Sequence, residues 1–392
     1  MIYYPIDEVK PGMILGKSII SEKGDLLLAR GEVLTQMYIE KIKKLGYPGL
    51  YIIDDDTKGI TPQETLSEIT MLQTNKVLRE SVENLKKMVE TQKDTVKNLK
   101  QMLKSKDFKN IIIPSKIKNV VSGIIENVLT DTSNLINLSL IRGLNNYFYQ
   151  HAIDVTVISV HLGVRFQFNK YELEELAIGA LLHNIGMVVI PNEIINKKGK
   201  LTFEEFSLIK EHPIYGFEIL KSNSDISLLS AHVAYQHHER QDGSGYPRGL
   251  KGRNEYPYRK DFDPNIIHRY AEIVTVADTY VAMISPRPYS KPKTPEEALK
   301  IIIKVAGSHL NKVIVEEFLK TIPVYPVGSL IYIKEANDKT LLGYKGAVVE
   351  VDENKPERPL IVLFKSKNND RIDPPIYLDL KEHLDVKIGI LL

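Results

Sequence analysis

The 392-residue chain has no cysteine and no tryptophan. Without cysteine there is no disulfide framework, thiolate zinc site, iron–sulfur cluster or cysteine nucleophile, so any metal must be held by nitrogen and oxygen donors. Net charge is nearly absent as well. Fifty-two Lys and Arg stand against 50 Asp and Glu, a formal +2, which provides none of the field that marks a protein coating nucleic acid. Long apolar runs are also missing: none reaches the ~18 residues of a membrane span. The first twenty residues carry Asp7, Glu8 and Lys10 where a secretory segment would be continuously apolar. A cytoplasmic protein with no membrane span and no nucleic-acid partner is the expectation. What remains is of ordinary globular composition, 43% hydrophobic and 26% charged, and long enough for several domains.

Four regions follow from patterning. Residues 1–57 alternate short apolar runs (Met13–Ile20, Leu26–Leu28, Leu50–Ile53) with glycines and contain one stretch of helical spacing, Thr35–Leu45. They predict a small mixed α/β module. Residues 58–143 predict a long linking helix and connector. Thr61, Pro62 and Glu64 have the spacing of an N-cap, first helical residue and capping-box partner. From there Met71, Leu78, Val82, Leu85, Val89, Val96, Leu99 and Leu103, with Asn75 and Gln92 in the gaps, trace a heptad seam. The seam suits either packing on the chain's own core or a homodimeric coiled coil. Residues 144–323 have helical periodicity throughout, and residues 324–392 return to short β-rich runs separated by turns, predicting a small β-barrel-like module.

Chemistry concentrates in the third region. His151, His183, His212, His237, His238 and Asp278 fall within one helical stretch. Together they offer imidazole nitrogens and a carboxylate oxygen, a set suited to iron, manganese or zinc rather than soft copper. Successive helical side chains diverge by ~100°, so the adjacent pair His237-His238 can address one centre only at a helix end or across two metals.

The strings around these residues are specific. Ala180-Leu-Leu-His183-Asn184-Ile-Gly186-Met187 leads to Ile190-Pro191 and then to Phe203–His212-Pro213. After these come the unbroken His237-His238-Glu239-Arg240-Gln241-Asp242-Gly243-Ser244-Gly245-Tyr246-Pro247-Arg248-Gly249-Leu250, Val276-Ala277-Asp278, and Arg287-Pro288-Tyr289 with Lys291. From about Asn145 to Leu319 the chain resembles the HD-GYP family of bacterial cyclic di-GMP phosphodiesterases.

That resemblance implies a mainly α fold: an HD-domain helical bundle with a metal site, flanked by the small mixed α/β and β-rich modules. It implies metal-dependent hydrolysis of cyclic di-GMP, with His151, His183, Asn184, His212, His237, His238 and Asp278 at the metal-ligand positions. It also implies phosphate and guanine contacts by Arg287 and Lys291, and a Gly245-Tyr246-Pro247 loop beside the site that can dock signalling partners. Tyr147 occupies the place of a glutamate in three-metal members, so two divalent ions per chain are expected, iron or manganese ahead of zinc.

Two ions held ~3.5–4 Å apart can activate a water and neutralise phosphoryl oxygens during in-line displacement, but at that separation they need an anionic bridge. The family's bridging Asp is Asn184 here, and its Lys is Met187. Hydrolysis is therefore expected to be reduced. The alternative is an inactive cyclic di-GMP sensor or a partner-docking protein. A basic and aromatic insert, residues 256–265, has no assigned role.

Overall fold

A computed structural model describes residues 1–21, 26–53, 57, 59–90, 114–131, 133, 135–138, 147–197, 199–257, 263–286 and 292–391. The N-terminal part is a three-stranded antiparallel sheet, order β1 (Ile2–Pro5), β5 (Gly49–Ile53), β2 (Ile14–Leu15), with a hairpin of β3 (Ile19–Ile20) and β4 (Leu26–Leu28) and one helix, α1 (Gln36–Lys44). Thr35 caps α1 by accepting from Tyr38 N at 3.2 Å, which places the helix where its spacing predicts it.

The C-terminal part is a five-stranded antiparallel sheet, order β10-β6-β7-β8-β9, made from β6 (Leu330–Glu335), β7 (Lys345–Glu350), β8 (Leu360–Lys365), β9 (Arg371–Asp379) and β10 (Lys387–Ile390). β9 and β10 lie at opposite ends of that order, so this sheet is open rather than closed into a barrel. Strand side chains alternate between faces, and both faces are buried. Ile331, Val348, Ile361 and Leu363 pack with Leu378, Leu380 and Ile388 on one side. Leu330, Ala347, Val362 and Phe364 pack on the other against Ile2, Tyr4, Leu15, Leu50 and Ile52. The two ends of the sequence therefore share a single core, joined also by Tyr3 N donating to Gly328 O at 2.7 Å. The modules expected at 1–57 and 324–392 are one structural unit.

Helices build the middle. α2 (Glu68–Glu90) and α3 (Pro114–Thr130) are followed by α4 (Tyr147–Arg165), α5 (Lys170–Leu181), a 3₁₀ turn (Ile185–Val189) and α6 (Asn192–Ile195). α7 (Phe203–Ile209), α8 (His212–Lys221), α9 (Leu228–Gln236), α10 (Arg269–Ile284), α11 (Pro295–Val305) and α12 (Lys312–Leu319) follow among the described residues. None of the described helices is long and apolar enough to cross a membrane.

The long helix starts at Glu68, not at Pro62. Ser67 Oγ accepts from Thr70 N at 3.2 Å, while the Glu64 carboxylate pairs with Lys17 instead of closing a capping box with Thr61. Of the heptad seam, Leu78, Val82, Leu85 and Val89 are buried in the chain's own core with Val121, Ile124 and Ile153, and Met71 packs against it. The segment expected as a linker thus contributes its described helices to the helical core. Each such side chain contributes about 1.5–3 kcal/mol by leaving water, so these positions have no need of a second copy. Val96, Leu99 and Leu103 lie outside the described residues.

Candidate metal centre

Five elements deliver the six ligand-type residues to one place. His151 projects from α4, His183 follows the end of α5, His212 opens α8, His237 and His238 close α9, and Asp278 lies on α10. They form two groups of three, His151/His183/Asp278 and His212/His237/His238, and within each the donor atoms lie inside 4.8 Å of one another. The groups adjoin, with the His183 and His237 rings 5.0 Å apart between centroids. In the first group His151 Nε2 lies 2.9 Å and His183 Nε2 3.9 Å from Asp278 Oδ1. In the second, His212 Nε2 is 3.2 Å from His237 Nε2, and the His212 and His238 rings are 5.0 Å apart. Such spacings let small rotations converge each triad on an ion with bonds of ~2.0–2.2 Å.

The His237-His238 puzzle is settled by the helix end. His237 is the C-cap residue of α9, so His238 escapes the helical rotation that would turn it away, and the two rings approach to 4.1 Å.

Backbone carbonyls orient the rings. His183 Nδ1 meets Ala180 O at 2.7 Å, His212 Nδ1 meets Ile209 O at 2.7 Å, and His237 Nδ1 meets Ala234 O at 3.0 Å. A carbonyl only accepts, so each Nδ1 carries the proton and each Nε2 turns its lone pair into the centre, the arrangement metal-binding histidines require. Burial holds His183 and His212 down at about 4 and His238 at about 3, and pushes His237 well below its ordinary value. These four rings are neutral at physiological pH and available as ligands. Burial alone would raise Asp278, but first the hydrogen bond from His151 and then electrostatic attraction to the surrounding histidines hold its carboxyl well below the usual range. The donor chemistry, fixed tautomers and ionised carboxylate fit divalent cations.

Two glycines permit this convergence. A Cβ on Gly186 would fall 2.0 Å from His212 O and 2.5 Å from Gly216 N, so the 3₁₀ turn after His183 can press against α8 only without a side chain. A Cβ on Gly245 would lie 2.5 Å from Glu239 Cα and 2.6 Å from His238 O.

The family profile described as an HD domain matches residues 133–314. A cyclic di-GMP phosphodiesterase of Pseudomonas aeruginosa is 30% identical over 262 residues, 67% of this chain and 58% of that protein. One of Thermotoga maritima is 42% identical over 173 residues, 44% of each chain, and one of Borreliella burgdorferi is 32% identical over 216 residues, 55% of this chain and 52% of that one. The chain belongs to the HD-GYP family. It spans about half the length of these curated relatives.

The HD-GYP loop is held by residues whose roles the sequence did not announce. Glu239 Oε1 accepts from Arg248 N at 2.7 Å and Oε2 from Leu250 N at 2.8 Å, closing the loop as a staple. Gln241 Nε2 donates to Glu272 Oε1 at 2.9 Å. Both stand inside the recognisable string, so their presence was legible and their function was not. The loop so closed lays Tyr246 on His238, rings 4.8 Å apart and 26° from parallel. Burial first, then the Asp278 carboxylate, push the Tyr246 hydroxyl above the usual phenol range, so it stays a donor.

The divergent positions are also placed. Asn184 Nδ2 lies 2.7 Å from His183 Nε2 in the first triad. Met187, half-buried, packs on the hydrophobic core. Tyr147 puts its hydroxyl 3.4 Å from His151 Nδ1. Arg287 and Lys291 lie outside the described residues, as do 258–262 of the insert.

Proposed function

We propose that this chain is a metal-dependent phosphodiesterase acting on cyclic di-GMP, with turnover slowed by Asn184 and Met187. The observation that carries the proposal is the pair of adjoining triads, His151/His183/Asp278 and His212/His237/His238, six donors in the midst of a chain whose relatives bear the name of that activity. Two divalent ions, one per triad, are the cofactors of this reading; when bound they supply Lewis acidity toward water and phosphoryl oxygens.

The chain's residues have distinct tasks. The backbone carbonyls hold His183, His212 and His237 in the tautomer that presents Nε2, so little reorganisation is needed when charge develops. Asn184 takes the family's bridging position with a neutral amide, whose oxygen can serve one cation but brings no charge to hold two together. Met187 offers no hydrogen-bond donor to a phosphoryl oxygen. Tyr246 presents an aromatic ring and a protonated hydroxyl at the centre, suited to a nucleotide. Arg287 and Lys291 are proposed to contact phosphate and guanine through charge-assisted hydrogen bonds. The Gly245–Pro247 loop remains the candidate partner-docking surface. A homodimer, if formed through the long helix, would rest on positions beyond Val89.

The test is metal analysis of the purified chain beside a turnover assay with cyclic di-GMP. Two metals per chain in manganese- or iron-supplemented protein, with slow but metal-dependent cleavage, are expected. Binding of the dinucleotide without cleavage in fully loaded protein would overturn the enzyme in favour of a sensor.

A further inference from the structure

Met187 offers no cation, but a lysine from a different element lies one aromatic ring away from the ligand-type His238. Lys210 follows the last turn of α7, two residues before the ligand-type His212. Its Nζ lies 5.5 Å from the centroid of the Tyr246 ring and 4.9 Å from that of Phe206. Tyr246 in turn stacks on His238. An ammonium over one ring of a stack that ends on a ligand-type histidine stands one aromatic ring away from the second triad. Among the described residues no carboxylate forms an ion pair with it. Arg240, the other nearby cation, is occupied differently: its guanidinium lies 3.4 Å from both Ser244 Oγ and His309 Nε2.

We infer that Lys210 binds the substrate's phosphodiester, replacing from α7 the positive charge that Met187 withdraws from the 3₁₀ turn. Cation–π contacts with Phe206 and Tyr246 hold the flexible stem without neutralising the ammonium, so its charge and three donors remain available to an anion. The inference rests on the phosphodiesterase reading for the identity of the natural substrate, but its chemistry requires only a phosphate-bearing ligand.

The experiment therefore uses inorganic phosphate and bis(p-nitrophenyl) phosphate beside cyclic di-GMP, on full-length manganese-loaded protein. Lys210→Met keeps the length and apolar character of the stem and removes the charge. Phosphate affinity by calorimetry should fall about tenfold, in line with loss of one charge-assisted contact, and the salt dependence of binding should become shallower. Metal content should remain that of the wild type, and Lys210→Arg should restore most of the affinity. Lys221→Met is the matched control: that ammonium also sits over an aromatic ring, 5.3 Å from the centroid of Phe217, at the far end of α8. Its phosphate affinity should be unchanged.

A Lys210→Met protein that binds phosphate as tightly as the wild type, whether or not it melts earlier, overturns the inference and leaves the lysine a structural part of the loop. So does a wild-type protein that fails to bind phosphate when loaded. Cleavage of bis(p-nitrophenyl) phosphate that depends on Lys210, with cyclic di-GMP neither bound nor cut, removes the proposed substrate while sustaining the role of this lysine.

Discussion

The two triads have the same number of donors and nearly the same spacing, but they are not electrically equivalent. His151, His183 and Asp278 include a carboxylate held ionised at their centre. His212, His237 and His238 are three neutral imidazoles. With Asn184 at the position proposed to bridge, Asp278 is the single anion among the seven proposed ligand positions. A unit negative charge ~4 Å from a cation is worth several kcal/mol even at an effective dielectric constant of 20. The first triad should therefore bind a dication well on its own. The second must do so beside another dication, without a charge of its own. Ligand softness sharpens the contrast, since carboxylate accepts manganese readily whereas an all-imidazole set suits zinc.

The largest expected effect comes from erasing the difference by removing the anion. Asp278→Asn should leave metal content near zero and lower cyclic di-GMP turnover by roughly 10³-fold; retention of a full complement of manganese would show that the triads do not depend on it. Restoring the missing anion is the converse. In protein purified without added metal, where only the stronger site keeps its ion, Asn184→Asp should raise manganese content from about one toward two per chain, and together with Met187→Lys should raise turnover by roughly 10²–10³-fold. Equal rates in wild type and double variant would mean that neither substitution limits catalysis.

A smaller effect separates the halves. His212→Ala should abolish the weaker binding event alone, leaving one ion per chain by mass spectrometry of the native protein; loss of both ions would make the triads a single cooperative unit. Packing offers a further check on how the halves are brought together. Gly186→Ala puts a methyl against His212 O and should cost about 1–3 kcal/mol in denaturant unfolding, the usual range for overpacking. The smallest expected change is at Tyr147→Phe, which removes a hydroxyl 3.4 Å from His151 Nδ1. Metal affinity should fall less than about tenfold, at or below the low end for a partner of a ligating histidine.

Much of the centre was legible because its residue types are rare in combination and occur in a recognisable order. The adjacency of His237 and His238 left a helix end or two metals open, and the structure supplies the helix end. The carbonyls of Ala180, Ile209 and Ala234 could not be anticipated, since every residue has one and only the fold decides which imidazole it meets. The start of the long helix was misread for a related reason. Thr61 and Glu64 have capping-box spacing, but a lysine 47 residues away takes the glutamate, and a local pattern carries no information about such a competitor. The shared core of β1, β5 and β6–β8 joins segments roughly 280 to 360 residues apart through ordinary apolar side chains, which read alike whichever partner they meet. The destination of the heptad seam was ambiguous in the same way, because a coiled-coil partner and an internal helix present the same surface.

The inequality of the triads is tested most directly by titrating metal-free protein with manganese and with zinc in a calorimeter, using wild type and His212→Ala in parallel. Manganese should give one strong event and a second at least ~tenfold weaker, zinc should narrow that gap, and His212→Ala should retain only the strong event. Two manganese ions binding the wild type with equal affinity, or the strong event disappearing with His212, would contradict it.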